Sequence, residues 1–199
     1  MCNRNGSALF CVVLLGFAAA LPTGAAPAPR PELPAAPAAN AAGPTDVKAY
    51  GDWVVRCFPV KAPAQCDMFQ ATVERATQRR IVSISIAYAP GSNLYVAKFV
   101  VPLGAKLQDG LTVTSDKNAG APLAYSRCEN DGCTSEGPLD GKLVERLAHA
   151  KTAGIVMTMY SGGKATLPLS LRGFSEALAA MKALSIQKGQ TPLSGSVGR

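Results

Sequence analysis

Apolar and polar positions alternate along the first half of the chain in a pattern that predicts four successive strands. Four runs rich in β-branched and aromatic side chains are separated by proline or glycine and cover residues 50–57, 66–74, 81–89 and 94–101. In the third run, apolar side chains alternate with small ones in the order Val82, Ser83, Ile84, Ser85, Ile86, Ala87 and Tyr88. We expect one face of this strand to be buried, and the opposite face is free of charge.

Shorter apolar runs and two helical stripes follow in the second half. Further strands are predicted at residues 111–114, 123–128, 155–160 and 165–169. One stripe with helical spacing consists of Leu139, Leu143, Val144 and Leu147. A second consists of Phe174, Ala177, Leu178, Met181 and Leu184. Because strands dominate, the sequence predicts a mainly β fold: an antiparallel β-sandwich, or a small barrel, with two short helices.

Both ends of the chain depart from this pattern. Residues 1–25 contain an apolar run too short to cross about 30 Å of hydrocarbon at about 1.5 Å per residue, so we expect a signal peptide. Residues 26–46 are mostly Ala and Pro and are predicted to form an extended linker. The folded domain is expected over residues 47–184. Residues 185–199 lose the apolar periodicity and are predicted to form a flexible tail.

Composition and charge narrow the class of protein. The 199 residues are 48% hydrophobic and 17% charged, which excludes collagen-like and fully disordered chains. Lys and Arg exceed Asp and Glu by 20 to 13, a net charge of +7 that is not concentrated in any block. No nucleic-acid partner is therefore expected. No transmembrane span is expected once the signal peptide is removed.

Four of the six cysteines lie beyond the predicted signal peptide, and an oxidising compartment would join them in two disulfides. Three pairings are possible. Cys57 and Cys66 flank a segment with two prolines, whereas Cys128 and Cys133 flank a Glu-Asn-Asp-Gly turn. Each pair lies where two antiparallel strands leave a turn, so the prediction is Cys57 with Cys66 and Cys128 with Cys133. A four-thiolate zinc site is the alternative.

Few residues suggest catalysis. His149, the only histidine, is predicted on the polar face of the first helix, where the helix dipole explains it. No metal-ligand cluster, phosphate-binding loop or Gly-x-Ser-x-Gly turn is present in the sequence, so no catalytic residue, metal or cofactor is predicted. Asp52 is expected to hydrogen-bond backbone in a turn. A cluster of three arginines is a candidate contact for an anionic partner: Arg75, Arg79 and Arg80. The alternative interpretation is a solvent-exposed turn without a binding role.

Four sequence landmarks stand in order along the predicted domain. They are Tyr-Gly-Asp-Trp-Val-Val-Arg-Cys at 50–57, Val-Pro-Leu-Gly at 101–104 followed by Leu107 and Gly110, Cys128 with Gly132 and Cys133, and Leu-Pro-Leu-Ser-Leu-Arg-Gly-Phe at 167–174. This ordered set resembles the invasion-associated locus B (IalB) proteins of alphaproteobacterial cell envelopes. The resemblance implies an exported, disulfide-containing, β-rich domain without established catalytic residues. Some relatives are associated with bacterial entry into host cells, although the family also occurs in bacteria that invade nothing.

The resulting expectation is a periplasmic or secreted interaction protein of a Gram-negative cell envelope, with no enzymatic mechanism. Its partner would be an envelope protein, a host protein or an anionic envelope surface. The alternative is a periplasmic hydrolase or transferase, which a pocket joining two carboxylates, one with a strongly perturbed pKa, would favour. A third possibility is a chaperone-like role for exported proteins. An open apolar groove or an unpaired strand edge would favour partner binding.

Overall fold

The described chain forms eleven strands and two α-helices. The computed structural model describes residues 43–77, 80–116 and 118–190. The strands are β1 (Asp46–Tyr50), β2 (Trp53–Cys57), β3 (Cys66–Val73), β4 (Arg80–Ala89), β5 (Leu94–Val101), β6 (Leu111–Ser115), β7 (Asn118–Ala119), β8 (Tyr125–Glu129), β9 (Gly132–Leu139), β10 (Ala153–Thr158) and β11 (Lys164–Pro168). The helices are α1 (Gly141–His149) and α2 (Phe174–Gln190), and a single 3₁₀ turn covers Leu107–Asp109.

The strands pair into two antiparallel sheets. The larger has the order β1-β2-β3-β4-β5-β9-β8, and the smaller has the order β11-β10-β6-β7. One continuous core contains side chains of both sheets and both helices, among them Ile84, Phe99, Ile155, Leu147 and Met181. The predicted mainly β, antiparallel two-sheet fold with two helices is thus confirmed. The described strands do not close into a barrel.

Both predicted disulfides are present. Cys57 and Cys66 are register partners in β2 and β3, and their Cα atoms are 4.1 Å apart. Cys128 and Cys133 are register partners in β8 and β9, with their Cα atoms 4.0 Å apart. Because the four sulfurs are bonded to one another, they are not free to form the alternative zinc site. Each disulfide fixes the register of one hairpin in the larger sheet.

Several elements differ from the sequence prediction. The predicted strand at 50–57 is a hairpin, in which β1 starts at Asp46 and a two-residue turn separates it from β2. The pattern missed β1 because four of its five residues are exposed. The apolar pattern also missed β9, although the turn between Cys128 and Cys133 implied a strand there. This strand contains Glu136, Gly137 and Pro138, and Leu139 ends it and does not begin α1. Extended pairing with β5 compensates for this poor strand propensity.

The second helix is longer than the apolar stripe indicated. It continues to Gln190, past the predicted domain end at Leu184, and Ser185 is buried against the core. Because serine is polar, Ser185 interrupts the apolar stripe in the sequence, and the predicted helix therefore ended too early. The predicted signal peptide, residues 26–42 of the linker and residues 191–199 of the tail lie outside the described residues.

The loop between β11 and α2 is fastened to the larger sheet at Ser170. The Trp53 indole N–H donates to the Ser170 carbonyl oxygen at 2.8 Å. The buried Gln70 amide takes both Ser170 backbone groups, accepting from the N–H at 3.0 Å and donating to the carbonyl at 3.2 Å. Four residues after Ser170, at the start of α2, Phe174 packs edge-on against Trp53, with ring centroids 5.2 Å apart. We refer to Trp53, Gln70 and Ser170 as the Ser170 junction.

Gly173 provides a stability test of this attachment. Its φ is +81°, and a Cβ atom at this position would lie 2.1 Å from the Tyr50 carbonyl oxygen. Gly162, in the turn between β10 and β11, also has a positive φ of +97°, but no atom lies within 4 Å of its Cβ position. We expect Gly162→Ala to lower the free energy of unfolding by about 1 to 2 kcal/mol through backbone strain. Gly173→Ala should cost about 1 to 3 kcal/mol more, because the hairpin and the loop must also separate.

Urea unfolding of the two variants measures this difference. Gly162→Ala is the control for the strain that a positive φ imposes on any side chain. Equal losses in the two variants would show that the hairpin and the loop do not pack as closely as the structure has them.

Candidate functional site

A shallow cleft of about 550 Å³ lies beside α1 and contains the only histidine of the chain. The apolar stripe of α1 is buried at Leu143, Val144 and Leu147, so the polar side chains of the helix point outward. The lining includes Asp116, Asn118, Lys142, Glu145, Arg146 and His149. His149 lies in the last turn of α1, as the sequence predicts. The cleft brings together carboxylates, basic groups and an imidazole.

Asp116 has a structural role in this cleft. Its Oδ1 accepts hydrogen bonds from the Thr152 N–H at 2.9 Å, the Lys151 N–H at 3.1 Å and the Thr152 hydroxyl at 3.2 Å. These bonds, the Thr152 backbone bond foremost, lower the pKa of the Asp116 carboxyl. A general acid needs the opposite shift. Asp116 therefore joins the end of β6 to the start of β10 in its ionised form.

Asp52 lies beside the Ser170 junction, in the turn between β1 and β2. Its carboxylate accepts from the Ser170 hydroxyl at 2.6 Å and pairs with the Arg172 guanidinium. The Arg172 and Ser170 hydrogen bonds lower the pKa of this carboxyl. The prediction that the Asp52 side chain bonds backbone is wrong, since its partners are side chains. It is the Asp52 backbone N–H that donates to a carbonyl, that of Arg172, at 3.0 Å.

A cluster around Asp67 was not predicted. Asp67 accepts a two-point bond from Arg56, at 3.0 Å from Nε and 2.6 Å from Nη2, and a third bond from the Ser85 hydroxyl at 2.6 Å. The Arg56 guanidinium also lies 4.0 Å from the centroid of the Phe69 ring. A sequence signal for the pair existed, because a disulfide between the neighbouring cysteines places Arg56 opposite Asp67. The side-chain roles of Ser85 and Phe69 had no such signal.

This cluster belongs to the face of the larger sheet opposite the core. Strand alternation directs Trp53, Met68 and Ile84 to the core, and α2 packs on β1 to β4 from that side. The intervening side chains point the other way, and neither helix covers them in the part of the chain that the structure describes. We call this surface the open face; it includes Arg56, Asp67, Phe69, Ser85, Lys98 and Glu136.

Charges on the open face balance. Lys98 and Glu136 are register partners in β5 and β9, and Arg56 is paired with Asp67. Arg127 of β8 is the register partner of Thr134 on the same face and pairs with Glu129. Three basic and three acidic groups therefore offset each other. Phe69 and the apolar part of Arg56 provide an amphipathic centre beside the small side chain of Ser85. A neutral surface with an aromatic and an arginine at its centre fits a protein partner better than a polyanion.

The candidate arginine turn is only partly described. Arg79 lies outside the described residues, and Arg75 is exposed. Arg80 pairs with Asp131 of the neighbouring β8–β9 turn at 2.5 Å. In that same turn region, Arg127 pairs with Glu129. An anion would have to compete with these carboxylates, and anion binding at this turn stays a prediction.

Over residues 43–77, 80–116 and 118–190, no three His, Cys, Asp or Glu side chains are close enough to hold a metal ion. Within the same ranges, neither α-helix combines the length and the apolar character that crossing a membrane requires.

Comparison with known proteins gives one consistent result. The family model described as invasion associated locus B (IalB) protein matches residues 53–182. An invasion protein B homologue of Brucella abortus strain 2308 is 27% identical over 173 residues, covering 86% of this chain and 89% of that protein. Its counterpart in strain 9-941 of biovar 1 matches to the same extent. The crystal structure of invasion associated protein B from Bartonella henselae has the same fold, with a TM-score of 0.62 and 24% identity over 72% of this chain and 99% of that chain.

The lowered pKa of Asp52 predicts a specific response to acid. A carboxyl whose pKa is depressed on folding stabilises the protein above its unfolded pKa, near 4, and this stabilisation is lost as the pH falls through the folded pKa. Asp52→Asn removes the titrating group. Between about pH 5 and pH 2, the variant should therefore lose less stability than the parent. Arg172→Gln, which removes the charged partner, should flatten the pH dependence in the same sense.

Urea midpoints measured across this pH range give the comparison. The flattening is expected to be partial, because Asp109 and Asp116 also have lowered pKa values. Parallel pH profiles for the parent and both variants would contradict the assigned role of Asp52.

Proposed function

The chain belongs to the invasion-associated locus B family, and we propose that it is an exported, non-catalytic interaction protein of the bacterial cell envelope. Two disulfides support export, because they form and persist in oxidising compartments such as the periplasm. The curated relatives carry the name of invasion proteins and not of enzymes. Contact with a host cell is the partner class that those names suggest, and an envelope protein is the other.

The Ser170 junction is the observation that carries the proposal. Its members and Asp52 come from the two landmark sequences at 50–57 and 167–174, together with Gln70 from β3. Their polar groups bond to one another and fasten α2 to the larger sheet. These polar residues of the landmark sequences, together with Gln70, therefore stabilise the fold. Function is then expected from surface residues that the fold leaves exposed.

The open face is the surface we propose for the protein partner. Its paired charges make it neutral, and Phe69 stacked under Arg56 supplies the combination of aromatic and arginine that dominates many protein interfaces. The Arg56 guanidinium is already fixed by Asp67, so little side-chain entropy is lost when a partner binds. Lys98 and Glu136 provide a polar rim.

A hydrolase acting at the α1 cleft is the second candidate. The cleft brings His149 and Glu145 to the same helix face, which is the observation that favours it. Asp116, the other carboxylate of the cleft, is held by backbone N–H groups and serves the fold. The two candidate functions place the working residues on different surfaces, so variants can separate them.

Site-specific photocrosslinking in living cells tests the proposal. A photoreactive side chain at Lys98, on the open face, should give a discrete protein adduct. The same group at Ala183, on the exposed side of α2, is the matched control and should give none. Adding Phe69→Ala should lower the adduct yield at Lys98 by about tenfold, because it removes the aromatic centre of the surface.

A cleft variant distinguishes binding from catalysis. The double variant His149→Gln, Glu145→Gln should still form the Lys98 adduct. It should also fully complement any phenotype of a deletion strain. Loss of complementation by this cleft variant, with the adduct intact, would support the hydrolase. No adduct at Lys98 would contradict partner binding on the open face.

A further inference from the structure

The outer edge of β1 has no pairing strand in the part of the chain that the structure describes. The larger sheet begins with β1, which pairs with β2 on one side only. Four of the five β1 residues are exposed, and Val47 has 61% of its surface accessible. Natural edge strands are commonly protected by an internal proline, a bulge or like charges that repel a second edge. Neither a proline nor a bulge interrupts Asp46–Tyr50, and its two charges, on Asp46 and Lys48, are of opposite sign.

Two residues of β1 present their backbone groups to this edge. Tyr50 and Trp53 flank the two-residue turn of the hairpin, and residues in that position exchange both backbone hydrogen bonds. Alternation then turns the N–H and C=O groups of Val47 and Ala49 away from β2. The pairing of β2 with β3 supports this assignment. The Phe58 N–H donates to the Gln65 carbonyl, so the backbone groups of even-numbered β2 residues point toward β3 and those of odd-numbered residues toward β1.

The charges of β1 select one way of pairing it with a copy of itself. Antiparallel pairing centred on Val47 places Asp46 of each copy opposite Lys48 of the other, on the same face of the sheet. If Val47 paired instead with Ala49, the two Lys48 side chains would be opposite each other. Pairing centred on Ala49 would oppose Asp46 and Asp52. Opposite charges in facing positions stabilise a strand pair, and like charges destabilise it.

We propose that two copies of this protein associate through their β1 edges, antiparallel and centred on Val47, to form one continuous sheet across the dimer. Val47 of each copy exchanges two backbone hydrogen bonds with Val47 of the other. Asp46 and Lys48 form two charge pairs between the copies. Asp46 also pairs with Lys188 of its own copy at 3.1 Å, so its carboxylate would receive a cation from each side.

A recess beside the edge is consistent with this arrangement. It has a volume of about 690 Å³ and lies between β1 and the last turns of α2, lined by Lys48, Val55, Leu184 and Lys188 among others. Asp46 and Lys48 point to this side of the sheet, since they are register partners of the buried residues Cys57 and Val55. A second β1 added at the edge would lie along the open side of the recess and cover part of its apolar lining.

Removal of one backbone donor tests the pairing. Val47→Pro deletes the outward N–H without touching a hydrogen bond to β2, and Val47→Thr keeps that N–H as the matched control. Sedimentation velocity of the exported chain should show dimerisation that rises with concentration for the parent and for Val47→Thr. The dissociation constant of Val47→Pro should be at least about tenfold higher. Amide exchange at Val47 should slow as the parent concentration rises.

Charge variants test the register independently of proline. Asp46→Lys gives an edge with two lysines, and Lys48→Asp gives an edge with two aspartates. Each variant alone should be monomeric, since like charges would face each other in the proposed register. An equimolar mixture should form a heterodimer, detectable by native mass spectrometry, because both facing positions again carry opposite charges.

Three results would overturn the proposal. They are a parent that stays monomeric at every concentration, a Val47→Pro variant that dimerises as tightly as Val47→Thr, and a mixture of the two charge variants that gives no heterodimer. Circular dichroism and intact disulfides in each variant show that folding is retained. Although Val47 is the register partner of Arg56 on the open face, the two proposals have separate readouts: dimerisation here, and crosslinking at Lys98 for the open face.

Discussion

A loop that enters the interior must satisfy its backbone polar groups, and in this chain that requirement is met at Ser170. The Ser170 carbonyl accepts from Trp53 and Gln70, and the Ser170 N–H donates to Gln70. These partners lie 117 and 100 positions away in the sequence. The contact therefore joins β2 and β3, near the start of the described chain, to the loop before α2, near its end. It positions α2 to cover the larger sheet.

The position of the junction gives the landmark sequences at 50–57 and 167–174 a structural role in this chain. Trp53 and Asp52 belong to the first landmark and Ser170 to the last, and they meet because the helix must be fastened to the sheet. Such residues identify a fold, whereas function depends on what the fold displays. In this chain it displays a neutral, amphipathic sheet face around Arg56 and Phe69, and an edge of β1 that no other described strand pairs with.

Sequence patterns predicted the parts of this structure that depend on local chemistry. Turn residues between cysteine pairs indicated both disulfides, and apolar periodicity indicated α1 and α2. The apolar patterns missed β9 and β1, because β9 is held by pairing with β5 and β1 by pairing with β2. They also missed the partners of Asp52, since a carboxylate in a turn carries no sign of an arginine 120 positions away.

The stability of a Gln70→Leu variant would decide whether the junction holds the fold together as described. Leucine keeps much of the side-chain volume but leaves the partly buried Ser170 N–H without its acceptor. The free energy of unfolding should therefore fall by about 2 to 3 kcal/mol. An unchanged free energy of unfolding would mean that Ser170 is not what fastens α2 to the sheet, and that the landmark residues must be explained in another way.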